Sequence, residues 1–179
     1  MAYKTSETST LDKPIFQNLD VTSTTAKQEM GFTVTSTSGR KYRYCKTHDG
    51  CVATDLAGHP AYYIIGDSVT DVTVTTDFSE ATMATATQFA GLTCASGLSA
   101  STEVYLWIEV PNGAVTPDAS VSTNVAACSS LAAIGTADAY LDVFVNGTST
   151  QIIGLALEAD TDNLANIVMF PAGGLSANA

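Results

Sequence analysis

Apolar and polar residues alternate with a period of two over much of this chain, and that period predicts β-strands. The clearest case is VYLWIEV at 104–110, where Tyr105, Trp107 and Glu109 face one way and Leu106, Ile108 and Val110 the other. Residues 31–46 predict a hairpin. Phe32 and Val34 alternate with Thr33 and Thr35, Ser38-Gly39 supplies the turn, and Tyr42 and Tyr44 alternate with Lys41, Arg43 and Cys45. In that strand both tyrosines share one face, and Lys41 and Arg43 share the opposite, solvated one. Further strands are predicted in AYYII at 61–65, around Val72 and Val74, from Phe89 to Cys94, and in LANIVMF at 164–170, which Pro171 ends.

Turn chemistry adds two more hairpins. Asn112-Gly113 lies between VYLWIEV and AVTP, and Asn146-Gly147 lies between Tyr140–Val145 and Gln151–Leu157. Asn-Gly tolerates positive φ at both positions, which a tight hairpin turn requires. Residues 79–88, SEATMATATQ, read as a short helix or a long loop. CASGLSAST reads as a turn-rich link. Short strands with a turn signal about every ten residues predict an all-β fold, an antiparallel β-sandwich or barrel.

The first 28 residues have no sustained period. Their apolar residues, Leu11, Ile15, Phe16, Leu19 and Val21 among them, are scattered through Ser, Thr and Lys. They are expected to form an extended N-terminal arm, partly anchored by Ile15 and Phe16. The expected organisation is an arm at 1–28, a body at 29–172 and a flexible tail at 173–179.

Composition sharpens this picture. Charged residues are only 14% of the 179, so the surface is expected to be polar but weakly charged. The net charge of −11 is unevenly spread. Residues 1–46 hold all seven cations and four acids, a net of +3, and the other 14 acids give residues 47–179 a charge of −14. An acidic body argues against nucleic acid as the partner, because phosphate binding needs clustered positive charge. No apolar run approaches ~20 residues, so no membrane span is expected. The N-terminus lacks the apolar stretch of a signal peptide, so synthesis is expected in the cytosol. The basic residues point instead to protein docking. Lys4, Lys13 and Lys27, with Ile15 and Phe16, are candidates on the arm; Arg40, Lys41, Arg43 and Lys46 are candidates in or beside the strand.

Catalytic and metal chemistry find little support. His48 and His59 are the only histidines and stand in no ligand spacing; both read as turn or loop residues. No GxSxG, Walker or GxGxxG motif occurs. DTDN at 160–163 lacks the glycine and distant Glu of an EF-hand loop and reads as a turn. Asn146-Gly147-Thr148 fits a glycosylation sequon but reads as a hairpin turn. The cysteines Cys45, Cys51, Cys94 and Cys128 form no paired CxxC motif and are expected as reduced thiols, with a Cys45–Cys51 bridge open if the protein is oxidised. No enzyme activity and no cofactor are expected.

The order FAGLT, YLWIEVPNGAV, SSLAAIGTADAYL, QIIGLALEA and IVMFP resembles the small β proteins that decorate the heads of tailed bacteriophages, the cement or head-stabilisation proteins. The resemblance covers roughly residues 85–171 and centres on Trp107–Val115 and Ile152–Leu157. It implies a non-enzymatic virion protein on the outer capsid surface, assembled in the host bacterial cytoplasm. Its partner would be the major capsid protein, and it would act as a homo-oligomer, with a trimer favoured. It implies no catalytic residue. The alternatives are another virion component (tail tube, head fibre or major shell protein) and a carbohydrate-binding or adhesin module using Tyr62, Tyr63 and Trp107 as stacking surfaces.

Overall fold

A computed structural model describes residues 11–48, 51, 57–64, 72–77, 89–132, 140–145, 151–171 and 175–176. Among these the chain is all-β. Five strands close a barrel: β2 (Lys41–Thr47), β3 (Pro60–Tyr63), β4 (Thr73–Thr75), β5 (Phe89–Thr93) and β6 (Tyr105–Val110). Their order is β2-β4-β3-β5-β6, and β6 returns to pair with β2. All pairs are antiparallel except β2 with β4. One edge of β2 takes β6 from Lys41 to Lys46. The other edge takes β1 (Thr33–Thr35) at Lys41–Arg43, then β4 at Lys46–Thr47.

Strand alternation fills this barrel. Every barrel strand sends a small or branched side chain inward: Cys45, Ala61, Val74, Ala90, Leu106 and Ile108. Five strands leave little lumen, which suits Ala and Cys. Leu98 and Val104 join the same cluster from the link before β6. The outward set is also buried. Tyr42, Tyr44, Tyr62, Leu92 and Trp107 belong to a second core with residues of the second sheet and Leu19. Both faces of β6 are therefore covered.

The second sheet has the order β7-β12-β11-β8-β9: β7 (Val115–Ser120), β12 (Leu164–Met169), β11 (Gly154–Ala156), β8 (Ser130–Ala132) and β9 (Asp142–Val143). A bridge between Val121 and Leu141 brings β9 back to the end of β7, so the two edges of the sheet meet. Leu131, Ile167 and Met169 pack beneath it. β10 (Gln151–Ile152) pairs with β13 (Leu175–Ser176), which lies in the segment expected to be a loose tail.

The expected hairpin at 31–46 forms, with Thr33 opposite Arg43 and Gly39 at positive φ in the turn. The other two hairpins do not. β6 belongs to the barrel and β7 to the second sheet, so Pro111–Ala114 is a corner between layers. Asn112 Oδ1 accepts the Ala114 amide, Asn112 Nδ2 donates to the Gly39 carbonyl, and Gly113 N donates to the Met169 carbonyl. β9 and β11 do not pair either, because β8 lies between them and bonds to both. The Asn146-Gly147 turn and the helix or loop at 79–88 lie outside the described residues.

β5 needs a bulge to run between β3 and β6. The register shifts between Ala61 and Tyr62, and Gly91 takes φ 140°. A side chain at Gly91 would place its Cβ 2.0 Å from the Glu109 carbonyl oxygen. Gly91→Ala should therefore cost about 2–4 kcal/mol of stability. At Gly39 an added Cβ would meet nothing within 4 Å. Gly39→Ala should cost only the positive-φ strain, about 1–2 kcal/mol. Urea denaturation of the two variants checks this ordering, and equal losses would contradict it.

Candidate protein-docking site

Residues 11–28 run along the body and are tied to it at several points. The Leu11–Asp12 end covers the outer edge of β1: Leu11 bridges to Ser36, Asp12 N donates to the Thr35 carbonyl at 2.8 Å, and Thr35 N donates to Asp12 Oδ1 at 2.7 Å. This closes an edge that would otherwise offer unpaired backbone groups. Further along, Ser23 exchanges both backbone hydrogen bonds with Tyr105. Between these anchors Leu19 is buried in the core and Ile15 packs against it.

Gln17 fixes the middle of the segment. Its backbone carbonyl accepts the Trp107 indole N–H at 2.9 Å, and its Oε1 accepts the Tyr44 hydroxyl at 2.7 Å. Its Nε2 donates to the carbonyls of Val21 and Tyr105. Burial pushes the Tyr44 phenol up, and the Lys27 amide that donates to its oxygen opposes this. A buried amide with all these partners holds its backbone in one place.

This anchoring presents Phe16 to solvent. Phe16 is 79% exposed, although its backbone N is held by Gln28 Oε1 at 3.0 Å. Val21, 46% exposed, and the exposed Lys27 stand around the same hollow of about 300 Å³. An aromatic ring held in water by an anchored backbone, with a second exposed apolar residue beside it, is a candidate docking contact.

The other candidates divide. Lys4 lies outside the described residues. Lys13 is exposed, but its Nζ donates to the Thr33 carbonyl at 3.1 Å and sits 5.4 Å from the centre of the Phe32 ring. Arg40 is 2% exposed and cannot be a docking contact. It forms a buried ion pair with Glu109, which is 1% exposed, through Nε at 3.0 Å and a second contact from its NH2 group. The guanidinium also lies over Tyr42, and Glu109 Oε1 accepts the Thr116 hydroxyl.

The face of β2 expected to be solvated turns inward. Arg43 is opposite Ile108 and Cys45 opposite Leu106, both lumen residues. Barrel closure enforces this, because cross-strand partners share a face. Arg43 is half-buried, stacks 5.9 Å from the Tyr63 ring centre and donates to the Tyr63 hydroxyl at 2.7 Å. Burial pushes the Tyr63 phenol up, neighbouring Cys45 adds to this, and Arg43 opposes it. Lys46 pairs with Glu103 at 2.6 Å. Lys41 remains exposed. Phe16 and Lys27 are thus the two candidates that the fold brings together in the open. Val21 was visible only as one scattered apolar residue, and Gln17 carried no signal in the sequence.

The remaining expectations can be placed. Trp107 and Tyr62 are buried and offer no face to a sugar. DTDN forms a turn in which Asp162 and Asn163 have positive φ and Thr161 bridges Leu164. None of the four cysteines is joined in a disulfide; Cys45 faces the lumen and Cys51 Sγ donates to the Ser99 carbonyl. Among the described residues no group of three or more His, Cys, Asp or Glu side chains is placed to hold a metal ion. Neither the known protein-family models nor the curated proteins compared match this chain.

Two outcomes follow from these buried charges and thiols. Arg40→Met strands the Glu109 carboxylate in the interior and should cost about 3–5 kcal/mol. Arg40→Met/Glu109→Gln removes both charges and should recover part of that loss. Denaturant midpoints test this, and a double variant no more stable than Arg40→Met would contradict it.

Burial raises the Cys45 thiol pKa far above its usual value, with Arg43 opposing. A raised folded pKa gives stability that is complete below the unfolded thiol pKa of about 8.5 and falls as pH rises past it. Cys45→Ala should flatten the fall of unfolding free energy between about pH 8.5 and 10. An unchanged slope would show that Cys45 does not set it.

Proposed function

We propose that this chain is a non-enzymatic virion structural protein, a capsid decoration protein that binds the outer surface of a phage head as a symmetric oligomer and stabilises the shell. The observation that carries this reading is Phe16, a large aromatic side chain held 79% exposed by a segment that is itself tied into the core. A ring fixed in water loses little conformational entropy on binding, so its burial is available as affinity. Lys27 beside it supplies charge for an acidic or polar-apolar partner.

A weakly charged polar surface supports the same role. Close contact with a shell buries many groups, and each unpaired buried charge is costly. Covered sheet edges keep such a body from pairing indiscriminately through its backbone. Decoration of a repeating shell sums many modest contacts, so no single one needs to be strong.

The test is attachment of the full chain to purified phage heads that lack it. Binding should saturate at a fixed number of copies per head and raise the temperature at which heads rupture. Raised salt should weaken it, because the exposed Lys41 is screened. Absence of saturable binding would overturn the reading, and salt-independent binding would remove the charged contacts from it.

A further inference from the structure

We infer that the Phe16 patch of one copy seats in an acidic recess on a second copy of this chain, joining copies head to tail. This rests on the reading of Phe16 as a protein-docking residue and names its partner. The recess has a volume of about 490 Å³ and lies at the side of the second sheet. Its walls mix apolar Pro117, Ala159 and Leu164 with the acids Asp118, Glu158 and Asp162. The chain has no Lys or Arg beyond Lys46, so its second sheet supplies no cation to these acids.

Two independent features match. Phe16 and Val21 are apolar and exposed, as a mixed recess of this size requires of its occupant, and Lys27 is the cation that its rim lacks. The segregation of charge along the chain becomes the complementarity of the contact: cations lie in the first 46 residues, and the recess draws on residues 117–166. Apposing two recesses would instead set carboxylates against carboxylates. The patch and the recess are different surfaces, so the contact is heterologous. It closes into a ring where the rotation between copies allows and otherwise propagates.

Analytical ultracentrifugation of two full-length variants tests this. Phe16→Ala/Lys27→Glu disables the patch and keeps the recess. Glu158→Lys/Asp162→Asn disables the recess and keeps the patch; Asn tolerates the positive φ at 162. Fluorescence of Trp107, the single tryptophan, confirms that each variant is folded. Wild type should self-associate, more weakly in high salt. Each variant alone should associate at least ~tenfold more weakly. Mixed one to one, the two variants should form dimers and nothing larger, because one intact patch then meets one intact recess.

A wild type that stays monomeric at all concentrations overturns the inference. So does a folded patch variant that associates like wild type, or a mixture that fails to dimerise. Loss of head attachment by the patch variant, with wild type monomeric, would assign the patch to the shell; it would overturn this contact and leave the decoration role standing.

Discussion

Glu109 is the point on which the architecture turns. It is a carboxylate on the outer wall of a closed barrel, 1% exposed, and four parts of the chain meet at it. Arg40 reaches it from the β1–β2 turn and Thr116 from the second sheet. Tyr42 and Leu92 flank it in register from β2 and β5. Its backbone carbonyl lies where a side chain on Gly91 would have to go. A buried carboxylate left without its partner is strongly unfavourable. The turn, the barrel and the second sheet must therefore close together around it. Apolar residues of similar volume would stabilise the site as well, so the pair contributes geometry more than net energy.

That constraint also explains what the sequence could and could not reveal. Period-two alternation marks strands through local sterics and burial, so β2, β5, β6 and β12 were legible from residues such as Tyr42, Leu92, Trp107 and Ile167. Which strands pair is a non-local matter. Asn112-Gly113 has the chemistry of a hairpin turn, yet its asparagine caps a corner between layers. β8 is three residues of Ser, Leu and Ala with no strand signal of its own, and its pairing with β9 and β11 is what separates them. The candidate docking residues were half legible. Phe16 stood out as an aromatic residue in a polar leader. Arg40 looked like its neighbours Lys41 and Arg43 because local sequence cannot tell which cation will meet a buried carboxylate 69 residues away.

The charge split takes on a narrower meaning once the cations are placed. Arg40 neutralises Glu109, and Arg43 reaches back over Tyr63 within the barrel. Lys46 pairs with Glu103, and Lys13 lies against Phe32. Among the described cations Arg40 and Arg43 are taken up within the fold, Lys13 and Lys46 hold partners at the surface, and Lys27 and Lys41 stand in the open. A broad basic surface of the kind that grips a phosphate backbone is therefore not what these residues build. They build a rigid layer with isolated cations, and one of these stands beside an exposed aromatic ring.

Rigidity is what makes such a sparse patch useful. A disordered arm would lose its freedom on binding, and that loss would offset much of the gain from burying one phenyl ring. Here the loss occurs during folding. Gln17 locks the backbone against Trp107 and Tyr44, and Leu19 is sunk in the core two residues later. The same body carries both the ring and an acidic recess, so in the proposed contact each copy gives one and receives one. On the proposed reading, a shell that sets the spacing of its decorations would place such a contact at the high effective concentration of neighbours. Even a weak head-to-tail contact would then couple one attachment to the next, and a layer of modest bonds would resist dissociation as a unit.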